Sequence, residues 1–302
     1  MYENIKIGLL GGDLRQLALA RRLSSIGFET AVWGLGVCTA EIGSAVRCAG
    51  WRDAVRGSTA VVLPLPASQD GVQLNCPLAP ETELRLTHIM NEVPDGALLL
   101  GGKFDSSIKQ LAHKKHIPII DYYECEELQI KNALPTAEGA LAIAMNELPI
   151  TIFGCMAAIT GYGRVGKALA KVLCALGAKV TVIARSIEEL AWAEINGCTP
   201  MRLETKNNVS TLGNLEGYDV IFNTVPYKIF DRAVLERLSK DILIIDLATS
   251  PGGIDSFAAK EFGHKVIWAL SLPGKVAPFT AGNIIGDCIL EILSREGVIS
   301  QL

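Results

Sequence analysis

The sequence predicts an α/β protein built from two doubly wound parallel sheets. Three observations carry that reading. Apolar runs of strand length alternate with segments of helical periodicity along the whole chain. The strand runs are continuously apolar rather than alternating, the pattern of strands covered on both faces. The alternation restarts near the middle, so one plan is used twice. With 302 residues and 49% hydrophobic content, the chain can build two domains of about 150 residues, each with its own core.

In the first half the strands are "IKIGLL", "FETAVWG", "TAVVLPLP", "ALLLGG" and "IPIIDYY", a flavodoxin-like set that ends near residue 125. Between the first two, Leu17, Leu19, Ala20, Leu23 and Ile26 fall at helical spacing from Arg15 onward, and Gly27 supplies the stop. Glu124 to Asn146 reads as a long connecting helical region, interrupted at "LPTAEG". The second half holds the strands "CMAAITG", "AKVTVIAR", "DVIFNTVP", "DILIIDLA" and "KVIWALS", with a short strand near 199–203. Helices are expected near 164–176, 186–196, 231–239 and 254–262, and the polar stretch "ETKNNVSTLGNLEG" is expected as an exposed loop. From Phe279 to Glu296, Ile284, Ile285, Cys288, Ile289, Ile292 and Leu293 mark a long amphipathic helix, expected to return to the first domain. The predicted boundaries are 1–145, 146–278 and 279–302, with a hinge near 125–150.

Composition excludes several classes. Charged residues make up 20% and the formal net charge is −4, which argues against a nucleic-acid or membrane-surface partner. The 8 cysteines form no C-x-x-C pair and no Cys/His cluster, so neither a disulfide scaffold nor a metal site is expected and a reducing cytosol fits better. "MYENIKIG" has no basic-then-apolar signal pattern. The most apolar window, "ALAIAMNELPITIFGCMAAITG", is broken by Asn146, Glu147 and Pro149 and is not a membrane span.

The strongest motif is "ITGYGRVGKALAKVLCALGAKVTVIARS", with Gly161, Gly163 and Gly166 in the G-x-G-x-x-G pattern between a strand and a helix, and Tyr162, Arg164 and Val165 filling the loop. Gly161 permits the tight turn, Gly163 admits a pyrophosphate to the backbone, and Gly166 allows close packing. The helix N-terminus then presents unpaired N–H groups and a positive dipole to the phosphates. This Rossmann context points to a dinucleotide rather than to a relic turn. At the end of the next strand an NAD site places an acidic residue for the ribose 2′-OH. Here Ala184 falls at that position and Arg185 and Ser186 follow, so no carboxylate is expected near a 2′-phosphate and NADP is favoured over NAD. The alternative is that Arg185 is a solvated loop cation. Asn223, Thr224, Val225 and Pro226 end one later strand and "LATSPGG", with Thr249, ends the next; these are expected on the nicotinamide side of the crevice unless they are ordinary turn residues.

A second glycine turn, "GLLGGDLRQ", fails the same pattern. After Gly11, Asp13 stands where a pyrophosphate must approach, and Gln16 replaces the last glycine. Gly12 and Asp13 read instead as a tight turn and a helix N-cap. Arg15 in the first helical turn makes a small anion site suited to a carboxylate, unless it pairs with Asp13.

Together "GGDLRQ", "NALPTAEGA", "TGYGRVGKALA" and "LPGKVAPFTAG" resemble the family of the dipicolinate synthase A subunit, in the same order and across nearly the whole chain. The dinucleotide loop is shared by many families; the other motifs are more specific. The resemblance implies a dehydrogenase-like subunit that works with a flavoprotein-like B subunit in the mother cell of a sporulating bacterium. It implies NADP-linked oxidation of a dihydrodipicolinate to pyridine-2,6-dicarboxylate. Such a small dianion wants cationic subsites, and Arg15, Lys103 in "GGKFD" and Lys275 in "LPGKVAP" are the candidates. "PTAEG" puts Thr136 and Glu138 at an expected helix start near the domain junction, where Glu138 either accepts a proton or partners the dipole. His88, His113, His116 and His264 read as surface or packing residues. Losing a hydride and a proton makes the substrate ring aromatic, so the protein mainly has to orient its reactants. A homo-oligomer is expected. Two alternatives stay open: another two-domain NADP dehydrogenase of shikimate or hydroxyacid type, and a non-catalytic nucleotide-sensing subunit.

Overall fold

The computed structural model describes all residues except 1, 3, 4, 37–41, 207, 208, 214, 301 and 302, and gives only the backbone for 205, 206 and 209–211. It divides into two compact units, Met1–Asn132 with Ala277–Leu302, and Ala133–Val276.

In the first unit six strands form one parallel sheet: β1 (Lys6–Leu10), β2 (Glu29–Trp33), β3 (Val46–Arg47), β4 (Ala60–Val62), β5 (Leu98–Gly101) and β6 (Ile119–Asp121). Their order is β3-β2-β1-β4-β5-β6. The five strands expected from sequence stand in the flavodoxin-like order. The added edge strand β3, only two residues long and too short for a periodicity signal, completes the Rossmann order. Helices α1 (Leu14–Ile26), α2 (Trp51–Val55), α3 (Leu86–Glu92) and α4 (Ser106–Lys114) cover the faces. Gly27 ends α1 with φ 101°, a left-handed conformation that favours glycine.

Helix α5 (Glu126–Glu147) is continuous, with Pro135 inside it. The interruption expected at "LPTAEG" is therefore absent. Pro135 removes one backbone donor, but the apolar residues Ala133, Ala137, Ala140 and Ala144 continue through it at helical spacing and are all buried. The units divide at 132/133, inside this helix, and at 276/277, rather than at the expected 145/146 and 278/279.

The second unit repeats the plan with β7 (Met156–Thr160), α6 (Arg164–Ala175), β8 (Lys179–Ala184), α7 (Ile187–Ile195) and β9 (Thr199–Arg202). The expected loop over "ETKNNVSTLGNLEG" instead contains a two-stranded antiparallel pair, β10 (Glu204–Lys206) with β11 (Val209–Thr211). Residues 207, 208 and 214 of that stretch lie outside the described residues. Then follow β12 (Val220–Asn223), α8 (Arg232–Arg237), β13 (Leu243–Asp246), α9 (Ser256–Phe262), β14 (Val266–Trp268) and α10 (Leu272–Val276). The sheet order is β14-β13-β12-β7-β8-β9, so the switch in strand order falls between β7 and β12.

Helix α11 (Pro278–Arg295) opens with Pro at its first turn and packs along α1 within the first unit. Two glycines allow the approach. A Cβ on Gly282 would lie 2.4 Å from the Arg15 carbonyl oxygen, and one on Gly286 would lie 2.7 Å from Arg22 Cδ. Arg22 forms an ion pair with Asp287 beside them. Among the described residues, no helix is long and apolar enough to cross a membrane.

Candidate functional site: two glycine turns with different ends

The glycine turn of the second unit leads from β7 into α6. Gly161 has φ 87°, and a Cβ there would meet Thr224 Oγ1 at 2.6 Å. Gly163 is the N-cap of α6 and supplies no side-chain hydrogen bond, so the first amides of the helix keep no side-chain cap. A Cβ on Gly163 would find nothing within 4 Å, whereas one on Gly166 would lie 2.3 Å from the Gly161 carbonyl oxygen. Open space at one glycine and closed backbone contact at the other make a cradle that a phosphate fits and a side chain would fill.

A cavity of about 830 Å³ opens at this turn. Gly161, Tyr162 and Gly163 line it with Ala184, Arg185 and Ser186 from the end of β8 and with Thr224, Val225 and Pro226 past β12. The ends of β7 and β12 flank the switch point, where α/β sheets bind ligands, and the end of β8 lies next to β7. Tyr162 is buried beside the loop, and the Lys167 ammonium lies 5.8 Å from its ring centroid. Ser186 caps α7 by accepting the Glu189 N–H at 3.3 Å.

Five expected cofactor residues are not on the cavity wall. Arg164 and Val165 belong to the first turn of α6, and Gly166 serves the backbone contact just described. Thr249 is exposed, and its carbonyl accepts the Gly252 N–H. Asn223 is fully buried and works behind the wall. Its Oδ1 accepts from the Thr160 hydroxyl at 2.6 Å and the Val225 N–H at 3.2 Å, and its Nδ2 donates to Asp246 Oδ1 at 2.7 Å. Asp246 also accepts the N–H groups of Ala248 and Gly253. This chain of bonds ties the ends of β7, β12 and β13 together and holds both loops that follow. Asp246 was not among the residues expected from sequence, although an apolar strand ending on Asp is a visible signal.

A carboxylate joins the site as well. Glu189, in the first turn of α7, lines the same cavity as Arg185. The strand-end reading did not include this residue, which lies in the first turn of the helix that follows β8.

The glycine turn of the first unit is built differently. Asp13 caps α1, accepting the Arg15 N–H at 3.0 Å. Above the turn lies the chain itself. The Gly12 N–H donates to the Asn75 carbonyl at 2.8 Å, and a Cβ on Gly11 would meet Asn75 O and Cys76 Sγ within 3 Å. The Gly12 donor that a phosphate would use is already satisfied, so the block is steric as well as electrostatic. Asp13 is visible in the sequence motif; Asn75 is not, because it acts through its backbone.

What remains at this sheet end is polar and cationic. Arg15, 9% exposed, donates through Nε and Nη2 to the Asp13 carboxylate, with Nη2 at 2.8 Å, and also to the Leu65 carbonyl. Arg15 is thus committed to Asp13, the alternative weighed from sequence. Lys103 follows β5 with φ 57°, unusual for a residue with a side chain. Asp121, buried at the end of β6, holds that turn by accepting the N–H groups of Lys103 and Phe104, each at 2.9 Å. The Lys103 ammonium lies 4.7 Å from the Tyr123 ring centroid. Its pKa is pushed below the ordinary 10.5, first by loss of solvation and then by the Arg15 charge, with Asp121 opposing. The structure therefore brings Arg15 and Lys103 into one electrostatic neighbourhood.

The other candidates belong to the second unit. Lys275 is exposed in the last turn of α10. Thr136 and Glu138 sit in the middle of α5, half-buried and exposed respectively, so neither opens a helix and the dipole role for Glu138 is withdrawn. His264 is buried, with Nε2 2.7 Å from the Leu235 carbonyl oxygen. In the first unit His88, His113 and His116 are exposed.

Fold and site define an oxidoreductase-type protein with a Rossmann dinucleotide unit. The comparisons agree. Residues 6–123 match the N-terminal domain of the dipicolinate synthase A subunit, and residues 156–250 match the coenzyme F420-dependent NADP oxidoreductase family. The dipicolinate synthase A subunit of Bacillus subtilis (strain 168) is 31% identical over 98% of this chain and 100% of its own length. The crystal structure of the corresponding protein from Bacillus halodurans superposes with a TM-score of 0.85 at 28% identity, covering 97% of this chain and 99% of the other. That of the Bacillus subtilis protein gives 0.85 at 29%, covering 99% and 98%. The chain belongs to the family of the dipicolinate synthase A subunit. A transhydrogenase from Sinorhizobium meliloti, 12% identical with a TM-score of 0.68 over 98% of this chain and 95% of the other, shares the fold.

Proposed function

We propose that this chain is the oxidoreductase subunit of dipicolinate synthesis and oxidises a dihydrodipicolinate to dipicolinate with NADP. The observation that carries the reading is the uncapped N-terminus of α6 opening on a cavity that Arg185 lines, in a chain of this family. The amides of the α6 first turn would hold the pyrophosphate, and Arg185 with Ser186 would take the 2′-phosphate. When bound, the nicotinamide ring supplies a hydride acceptor. Thr224, Val225 and Pro226, held from behind by Asn223 and Asp246, would orient it.

The first unit would bind the substrate. Lys103 is the leading carboxylate partner, because Asp13 already neutralises much of Arg15. Lys275 offers a further cation from the second unit, and Thr136 and Glu138 remain candidates for contact with the substrate. Removal of a hydride and a proton from the dihydropyridine leaves an aromatic ring, so no strong base is demanded of the protein. The partner we infer is a flavoprotein-like B subunit, in a homo-oligomeric assembly acting in the cytoplasm of a sporulating mother cell.

The test supplies the cyclic intermediate of the lysine pathway to the chain with NADP, with and without the B subunit, and follows NADPH and dipicolinate by absorbance. Equal formation of both supports the reading. Dinucleotide binding without turnover in either mixture would leave a nucleotide-sensing subunit.

A further inference from the structure

The cavity at the end of β8 carries two opposite charges that no described residue has claimed. Arg185 and Glu189 both line it. Neither side chain makes a hydrogen bond or ion pair to a described residue, and they do not pair with each other. Both stand at the start of α7. Arg185 directly follows β8, and Glu189 occupies the third helical position, whose backbone N–H is already taken by Ser186 Oγ at 3.3 Å. Sequence spacing alone, Ser186 followed three residues later by Glu189, would make Glu189 the reciprocal half of a capping box. Yet no hydrogen bond from a described residue reaches its carboxylate, and Glu189 is among the residues that line the cavity.

We infer that Glu189 is a specificity-determining residue for the dinucleotide, set against Arg185. This rests on the proposed reading of the cavity as a dinucleotide site. An acidic group in this part of a Rossmann unit accepts from a ribose 2′-OH and repels a 2′-phosphate. The position that usually carries it, the strand end, holds Ala184 here. Glu189 delivers the same chemistry from the helix instead. Arg185 attracts a 2′-phosphate, while Glu189 weakens that attraction and offers the 2′-OH an acceptor. The preference for NADP is therefore moderated: the protein binds both dinucleotides, and the ratio is set by two side chains that act in opposite directions. The interaction is coulombic and only partly shielded from water, so it amounts to several-fold rather than orders of magnitude, and salt reduces it.

The experiment is equilibrium titration of NADPH and NADH, read by nicotinamide fluorescence, against the intact chain, Glu189→Gln, Arg185→Ala and the double variant. Circular dichroism confirms that each is folded. Glu189→Gln is expected to tighten NADPH roughly 3- to 10-fold while leaving NADH within about 2-fold or weakening it. Arg185→Ala should shift the ratio the other way. Raising ionic strength should shrink both effects. If Glu189→Gln changes both affinities by the same factor, or neither, Glu189 does not select and the inference is overturned. If no variant and not the intact chain binds either dinucleotide, the cavity is not a dinucleotide site and the underlying reading fails first.

Discussion

The backbone N–H of Gly12 donates to the carbonyl oxygen of Asn75 at 2.8 Å. In the second unit no side chain caps the corresponding helix, and its glycine turn faces a cavity. One chain thus builds the same strand-turn-helix twice and closes it once with its own backbone. One dinucleotide per chain is therefore expected. Replacing Asp13 by Asn removes the charge that would repel a phosphate but leaves Asn75 and Cys76 in place. Calorimetric titration of Asp13→Asn should still give one dinucleotide per chain; a second binding event would show that charge alone had closed the turn.

Gly163 and Gly166 separate binding from folding. A Cβ at Gly163 meets nothing within 4 Å. Gly163→Ala should therefore leave the melting temperature within about a degree or two while weakening dinucleotide binding roughly 10-fold or more. A Cβ at Gly166 meets a backbone oxygen at 2.3 Å. Gly166→Ala should cost about 1–3 kcal/mol of stability by overpacking, and lose affinity as a consequence. Thermal melts and titrations on both variants check the split.

Much of the fold was legible because parallel strands read as plain apolar runs, and Gly27 and Gly163 mark a helix end and a helix start. The edge strand Val46–Arg47 was too short to leave a pattern. The continuous helix through Pro135 was hidden by a rule about proline that buried alanines on both sides override. In the site, the Gly161 turn and the strand ends at Arg185 and Thr224 were visible as sequence patterns, and they line one cavity. Residues that act by reaching across the fold were not: the Asn75 carbonyl, the Asp121 clamp on the Lys103 turn, and Glu189 one helical turn past the strand end.

Asp246 holds the loops behind the cavity at the Gly161 turn. Asp246→Ala would strand the Asn223 amide and the N–H groups of Ala248 and Gly253 in a buried place. A loss of about 2–4 kcal/mol is expected. Asp246→Asn keeps an acceptor but places an NH₂ group against a backbone donor, so it should cost less. Denaturant melts of both variants give the order; equal stability of Asp246→Ala and the intact chain would show that these bonds do not hold the loops.

Lys103 provides the pH test of the first unit. Its ammonium is held below the ordinary lysine pKa, mainly by loss of solvation and secondly by Arg15. The folded chain therefore releases this proton at lower pH than the unfolded chain does. Between the two pKa values the unfolded state binds more protons, so this group adds stability as pH rises through that window. Substrate binding should respond in the opposite sense. In the proposed reading an anionic substrate meets Lys103 in its charged form, so its KM should rise as pH climbs through the lowered pKa, at a pH where an ordinary lysine is still charged. Lys103→Gln removes the charge without disturbing the Asp121 clamp, which is made to backbone N–H groups. It should raise KM about 10-fold or more near neutral pH, abolish the alkaline limb of KM, and leave dinucleotide affinity unchanged, because the α6 turn belongs to the other unit. Arg15→Ala is the less clean variant: it strands the Asp13 carboxylate, and part of its effect should appear as lost stability. Steady-state kinetics across pH, paired with dinucleotide titrations, decide the matter. An alkaline limb that survives in Lys103→Gln would assign the titrating group elsewhere.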